Sequence, residues 1–122
     1  MIFDTNVLIY ISQNILKIEN LIEPKIKPGI SVISYVEALG FSFSTPEERF
    51  YMEQICNSCQ TVNLSEQIIK ETIRLKSNFK IKLPDAIIYA TAVIEELPLM
   101  TNNISDFKSL DGGVKLINPF TL

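Results

Sequence analysis

Short apolar runs that alternate with helical patterns set the tightest limit on what this chain can fold into. Residues 1–4 (Met-Ile-Phe-Asp) read as a short buried strand that ends in an acid, and Thr5-Asn6 leads into an apolar helix over about 7–14. A second helical piece is expected at 18–23, ended by Pro24 and the Pro28-Gly29 pair. The next strand is placed at 30–32 and the next helix at about 34–43. Thr45-Pro46-Glu47-Glu48 has proline at the first helical position and glutamate at the third, a capping signature for a helix to about Cys56. A strand at 60–63 precedes a long amphipathic helix over about 65–78, whose apolar face would use Ile68, Ile69, Ile73 and Leu75. Pro84-Asp85 opens a helix running through Ile94, followed by a strand at 97–101, a short helix at 105–110 and a last strand at 114–117. Strands this short and apolar, separated by helices, pair in parallel and are covered on both faces. With 122 residues and no repeat or linker, the chain reads as one α/β domain.

Composition narrows the chemistry. Histidine is absent, so Ser-His-Asp and Cys-His catalysis are excluded, and carboxylates with a metal become the natural means of hydrolysis. Cys56 and Cys59 stand in a Cys-x-x-Cys spacing, but with no second pair and no histidine they cannot complete a zinc site. Falling at a helix end, they read as two reduced thiols. No apolar run approaches the roughly 20 residues of a membrane helix, and the opening residues carry no export pattern, so a cytoplasmic location without membrane attachment is expected. The net charge of −3 argues against a nucleic-acid partner only until a metal is counted. One divalent cation changes −3 to −1, and two change it to +1.

In open parallel sheets, ligands bind at the carboxyl ends of the strands. Asp4, Glu37, Asp85 and Asp106 all fall at strand ends or in early helical turns. Each also fits a capping role: Ser34-x-x-Glu37 matches a capping box, Asp85 would sit second in its helix after Pro84, and Asn103-x-x-Asp106 resembles a helix start. Asp4 fits least well, because a carboxylate ending an apolar strand costs free energy unless it is paired, hydrogen-bonded or bound to metal. Gathered carboxylates repel, and a hard divalent cation such as Mg²⁺ or Mn²⁺ would relieve that repulsion. Hydroxyl and amide groups beside the acids (Thr5, Asn6, Thr101, Asn102 and Asn103) could orient them. Lys70, Arg74, Lys76, Lys80 and Lys82 precede Asp85 closely, either as a solvated helix face or as a phosphate track. Lys80 and Lys82, in the loop before Asp85, are the stronger candidates for phosphate contact.

Four blocks together resemble PIN domains: Met-Ile-Phe-Asp4-Thr5-Asn6-Val-Leu-Ile, Val-Ile-Ser-Tyr-Val-Glu37-Ala-Leu-Gly40, Lys-Leu-Pro-Asp85-Ala-Ile-Ile-Tyr-Ala-Thr-Ala and Leu-Met-Thr101-Asn-Asn-Ile-Ser-Asp106-Phe. Their order is most similar to the VapC-type toxins of toxin–antitoxin systems. The resemblance implies a three-layer α/β/α sandwich around a parallel sheet, RNA cleavage dependent on Mg²⁺ or Mn²⁺, a homodimer and a cognate antitoxin partner. Carried over by position, it makes Asp4, Glu37, Asp85 and Asp106 the acidic site, supported by Thr5, Asn6, Thr101 and Asn103. Asp4 and Asp85 would form its core, with Glu37 or Asp106 positioning or deprotonating the attacking water. Many relatives carry arginine where this chain has Asn102. Two rivals remain, a non-catalytic binding module on the same fold and a Mg²⁺-dependent receiver domain. A receiver needs further acids beside the first and a lysine after a late strand, whereas here Asp4 precedes Thr-Asn and Thr101 precedes Asn-Asn.

Overall fold

The computed structural model describes residues 1–122. Five strands make one all-parallel sheet: β1 (Ile2–Phe3), β2 (Gly29–Ser31), β3 (Gln60–Val62), β4 (Leu99–Met100) and β5 (Leu116–Ile117). Their order is β3-β2-β1-β4-β5. Six helices connect them: α1 (Thr5–Ser12), α2 (Val32–Leu39), α3 (Pro46–Asn57), α4 (Glu66–Asn78), α5 (Leu83–Glu95) and α6 (Ile104–Phe107).

Period-two alternation in strands of two or three residues builds two separate cores. Phe3, Ile30 and Met100 turn to one face, where Val7, Leu8 and Ile11 of α1 meet Met52, Ile55 and Cys56 of α3. Ile2 and Leu99 turn to the other, against Ile68 and Leu75 of α4, Ile88 and Tyr89 of α5 and Phe107 of α6. The register pairs Ile2 with Leu99 and Phe3 with Met100, so neighbouring strands send matched side chains to the same layer. The outcome is the expected three-layer α/β/α arrangement.

Several boundaries move, each for a local reason. Ser31 ends β2 and accepts from the Ile33 amide at 3.2 Å, so α2 begins at Val32 and not at 34. Ser34 is therefore no cap; it lies buried inside the helix. The piece expected at 18–23 shrinks to a 3-10 turn, Ile18–Asn20. On α4 the buried residues are Ile68, Thr72 and Leu75, whereas Ile69 and Ile73 are exposed. Cys56 and Cys59 are free and buried, and burial pushes the Cys59 thiol up to about 11, with Cys56 beside it adding to the effect. Such thiols are poor nucleophiles, in keeping with the two reduced thiols read from the sequence.

Candidate active site

The strand order places the site. The chain leaves β1 for β2 and β3 on one side and returns to β4 and β5 on the other, which opens a crevice between the carboxyl ends of β1 and β4. Asp4 follows β1 directly and Thr101 follows β4. The Asp4 amide donates to Met100 O at 2.9 Å, which fixes the two strand ends together.

Asp4 is 4% exposed and serves as the N-cap of α1. Its Oδ1 accepts from the Thr5 amide at 2.8 Å and its Oδ2 from the Thr101 hydroxyl at 2.7 Å. Capping is thus one part of its setting, but burial beside other acids exceeds what a cap requires. Burial pushes its carboxyl up to about 6 against the Thr101 hydrogen bond, and repulsion from Asp85 and Glu37 adds to the rise. Thr101 is fully buried, and its hydroxyl oxygen accepts from the Asn103 amide at 3.0 Å, which orients its own proton toward Asp4.

Glu37 lies in the body of α2, two residues before its last. With Ser34 no longer a cap, the capping-box explanation of Glu37 fails. Its Oε1 instead accepts from the Thr5 hydroxyl at 2.8 Å, and the same hydroxyl pairs with the Ser34 hydroxyl at 3.0 Å. Asp85 is the third residue of α5, not the second, because Lys82 is the N-cap and Pro84 follows Leu83. Its carboxyl is raised by burial first, then by Asp106 and Glu37, with Lys82 opposing. Asp106 sits on α6, exposed, and Asn103 holds the N-cap position there without a side-chain capping bond.

These residues divide between two adjoining hollows. A cleft of about 260 Å³ is lined by Asp4, Thr5, Asn6, Ile9, Glu37, Phe41, Asp85 and Asn103. A groove of about 540 Å³ beside it is lined by Lys76, Lys80, Ile81, Lys82, Asp85, Ser105, Asp106 and Ser109. Asp85 belongs to both, and Asp106 faces the groove. As positioned, no three acids stand close enough to hold one ion. The donor set is nonetheless all carboxylate oxygen, each with a lone pair to spare, and its mutual repulsion is what a hard divalent cation offsets. Asp4, Asp85 and Glu37 are the acids that line the cleft, and their carboxyls would have to draw closer to hold such an ion.

The basic run resolves into two parts. Lys70 pairs with Glu66 at 3.0 Å, and Arg74 bonds both Glu71 and Asp111 at 2.8 Å, so these two cations are engaged away from the groove. Lys80 and Lys82 do line it, together with Lys76, which sequence reasoning ranked behind them. Lys76 Nζ donates to Ile81 O at 2.7 Å and so ties the loop carrying Lys80 and Lys82 to α4. Ser105 and Ser109 of the groove, and Phe41 of the cleft, were missed; Phe41 could have been found one helical turn after Glu37. Asn102 faces Tyr10, its Nδ2 donating to the hydroxyl at 3.3 Å, while its buried Oδ1 has no partner.

Fold and site together define an α/β domain with a carboxylate cleft at the switch point of its parallel sheet and a lysine-lined groove beside it. The chain belongs to the PIN domain family, whose model matches residues 1–113. This membership sets aside the receiver-domain reading. In fold it is similar to a toxin–antitoxin complex from Klebsiella pneumoniae (29% identity, 97% of this chain and 96% of that one, TM-score 0.76). It is also similar to VapBC-1 of nontypeable Haemophilus influenzae (23%, 98% and 99%, TM-score 0.76). DNA-bound VapBC of Salmonella typhimurium is a third (18%, 97% and 96%, TM-score 0.81). None of the curated proteins matches by sequence. No helix is long and apolar enough to cross a membrane.

Proposed function

We propose that this chain is a metal-dependent endoribonuclease, the toxin of a toxin–antitoxin pair. The observation that carries the reading is Asp4, held at the switch point by Thr101, with Asp85 and Glu37 lining the same cleft. Similarity to toxin–antitoxin complexes supports an antitoxin as partner, and the exposed apolar stripe of α4 supports a homodimer.

In this reading Asp4 and Asp85 would hold Mg²⁺ or Mn²⁺, with Glu37 and Asp106 assisting. Such an ion would supply charge compensation at the carboxylates and the phosphate and would lower the pKa of a bound water. Thr101 and the Thr5 amide keep both Asp4 oxygens in place, and Asn6 and Asn103 bring amides to the cleft rim. Thr5 fixes one Glu37 oxygen and leaves the other free to take the proton of the attacking water. Asp106 lines the groove and not the cleft, which favours Glu37 for that proton. Water adds to phosphorus, the bridging P–O bond breaks, and the departing oxygen is protonated from solvent. Lys76, Lys80 and Lys82 hold neighbouring phosphates of the RNA.

The test is cleavage of RNA in Mn²⁺ by the wild-type protein and by Asp4→Asn, Asp85→Asn and Glu37→Gln. Loss of cleavage is expected for both asparagine variants, and a fall of about 10²–10⁴-fold for Glu37→Gln. An Asp4→Asn protein that cuts at the wild-type rate would sink the reading. If the wild type neither binds Mn²⁺ nor cuts, the non-catalytic module takes its place.

A further inference from the structure

Phe41 stands at the acid cleft in a setting that core packing does not explain. It follows Gly40, the C-cap of α2, and is 40% exposed although it lines the cleft together with Asp4, Glu37 and Asp85. The ring is braced: Phe43 meets it edge-to-face, with centroids 5.7 Å apart and planes at 77°. Phe43 is itself partly buried against the core of α1 and α3, so the pair is anchored to the body of the protein.

Phe41 also walls a second pocket of about 220 Å³, in which Gln13, Ser42, Ser44 and Glu48 join it. The pocket contains one acid and no lysine, so it repels a phosphate and suits a neutral group. Its amide and hydroxyls offer both donors and acceptors to the edge of a planar heterocycle. An exposed aromatic face beside such a pocket is how unpaired bases are held, by stacking first and edge contacts second. The lysine groove adjoins the acid cleft through Asp85, and the pocket adjoins it through Phe41, so backbone and base contacts can both reach the acids.

We propose that Phe41, with the pocket behind it, holds one unpaired nucleobase next to the phosphate that is cut. The substrate is then single-stranded RNA at that point, and Phe41 with Gln13 sets the base preferred beside the cut. A paired base must first be unpaired and unstacked to lie on Phe41, so duplex is disfavoured. This rests on the ribonuclease reading, and the experiment separates the two.

Binding is read first on metal-free wild-type protein, with a short single-stranded oligoribonucleotide carrying 2-aminopurine, whose fluorescence falls when the base stacks. Quenching is expected for wild type and for Phe41→Tyr, with affinity roughly tenfold or more weaker for Phe41→Ala. Cleavage in Mn²⁺ is read second. Phe41→Ala should raise KM by about the same factor and blur the base preference, while Phe41→Tyr restores both. Gln13→Ala should alter the base preference, and the same sequence in a duplex should resist cutting. Wild-type protein that binds and quenches without cutting defeats the ribonuclease reading and leaves the base pocket standing. Unchanged binding and base preference in Phe41→Ala overturns the pocket. So does a Phe41→Ala protein that loses only its antitoxin, which would make the aromatic pair a protein-docking patch.

Discussion

Asp4 ends an apolar strand with its carboxyl pushed up to about 6, against an ordinary value of about 3.9, and this gives the metal-free protein a testable pH signature. Between about pH 4 and 6 the folded form keeps a proton that the unfolded chain has released. The folded state is therefore penalised as pH rises through that window, by on the order of 2–3 kcal/mol above it. Asp85 is raised too and acts in the same direction. Asp4→Asn removes the Asp4 contribution, so the variant should gain stability relative to wild type between pH 4 and pH 7. Urea midpoints at the two pH values, without metal, measure the difference; parallel pH dependence in the two proteins would contradict it. Adding Mn²⁺ at pH 7 should stabilise wild type more than the variant. At this scale the sequence was informative where a residue broke a pattern. Asp4 interrupts an apolar run and could be singled out, but Glu37 was masked by the apparent capping box from Ser34. Only the hydrogen bond from Ile33 to Ser31 shows that the helix begins two residues earlier, and only the Thr5 hydroxyl's bond shows what Glu37 faces.

Helix α4 shows what periodicity cannot separate. Its apolar residues recur at helical spacing, and all of Ile68, Ile69, Ile73 and Leu75 qualify for a core face. Packing against α5 and the sheet uses only Ile68 and Leu75, with Thr72 between them turning its hydroxyl back to Ile68 O at 2.7 Å. Ile69 and Ile73, at 45% and 59% exposure, lie one turn apart on the outer side. A pattern wider than the core requires is what a helix needs when it serves two contacts, one inside the domain and one outside it. The homodimer in the proposed function is expected to use this stripe. Sedimentation of the wild-type protein should give a dimer, and Ile69→Glu or Ile73→Glu a folded monomer. A wild-type monomer, or a dimer untouched by both substitutions, would show that α4 has no such role. The capping of α3 was legible in full, because Thr45, Pro46 and Glu48 act within four residues of one another; Thr45 Oγ1 accepts from the Glu48 amide and Glu48 from the Ser44 amide.

Across the whole molecule, the parallel α/β plan followed from alternation alone, since short strands of two or three residues between helices leave few other solutions. The charge distribution did not follow in the same way. A chain with net charge −3 and pI near 4.9 is a poor RNA ligand on average, yet Lys76, Lys80 and Lys82 converge on one groove. That convergence depends on Arg74 and Lys70 being occupied by acids and on Lys76 drawing the 79–82 loop to α4, which are relations of distance and not of sequence. The consequence is measurable as a salt effect. If Lys76, Lys80 and Lys82 each neutralise one phosphate of a single strand, the logarithm of the binding constant should fall against log salt with a slope near −2, about −0.7 per contact. Lys80→Ala and Lys82→Ala should each make the slope shallower by about 0.7, with similar effects on different RNA sequences. Lys70→Ala should leave it unchanged, because that cation is paired with Glu66 and lines neither hollow. Binding measured in Mn²⁺ on uncleaved oligonucleotides with Asp4→Asn would keep the substrate intact, but it would also disturb the metal. Fluorescence titration of wild-type protein without metal, over a range of salt, avoids that conflict. A slope that the groove substitutions do not move would place the RNA elsewhere on the surface.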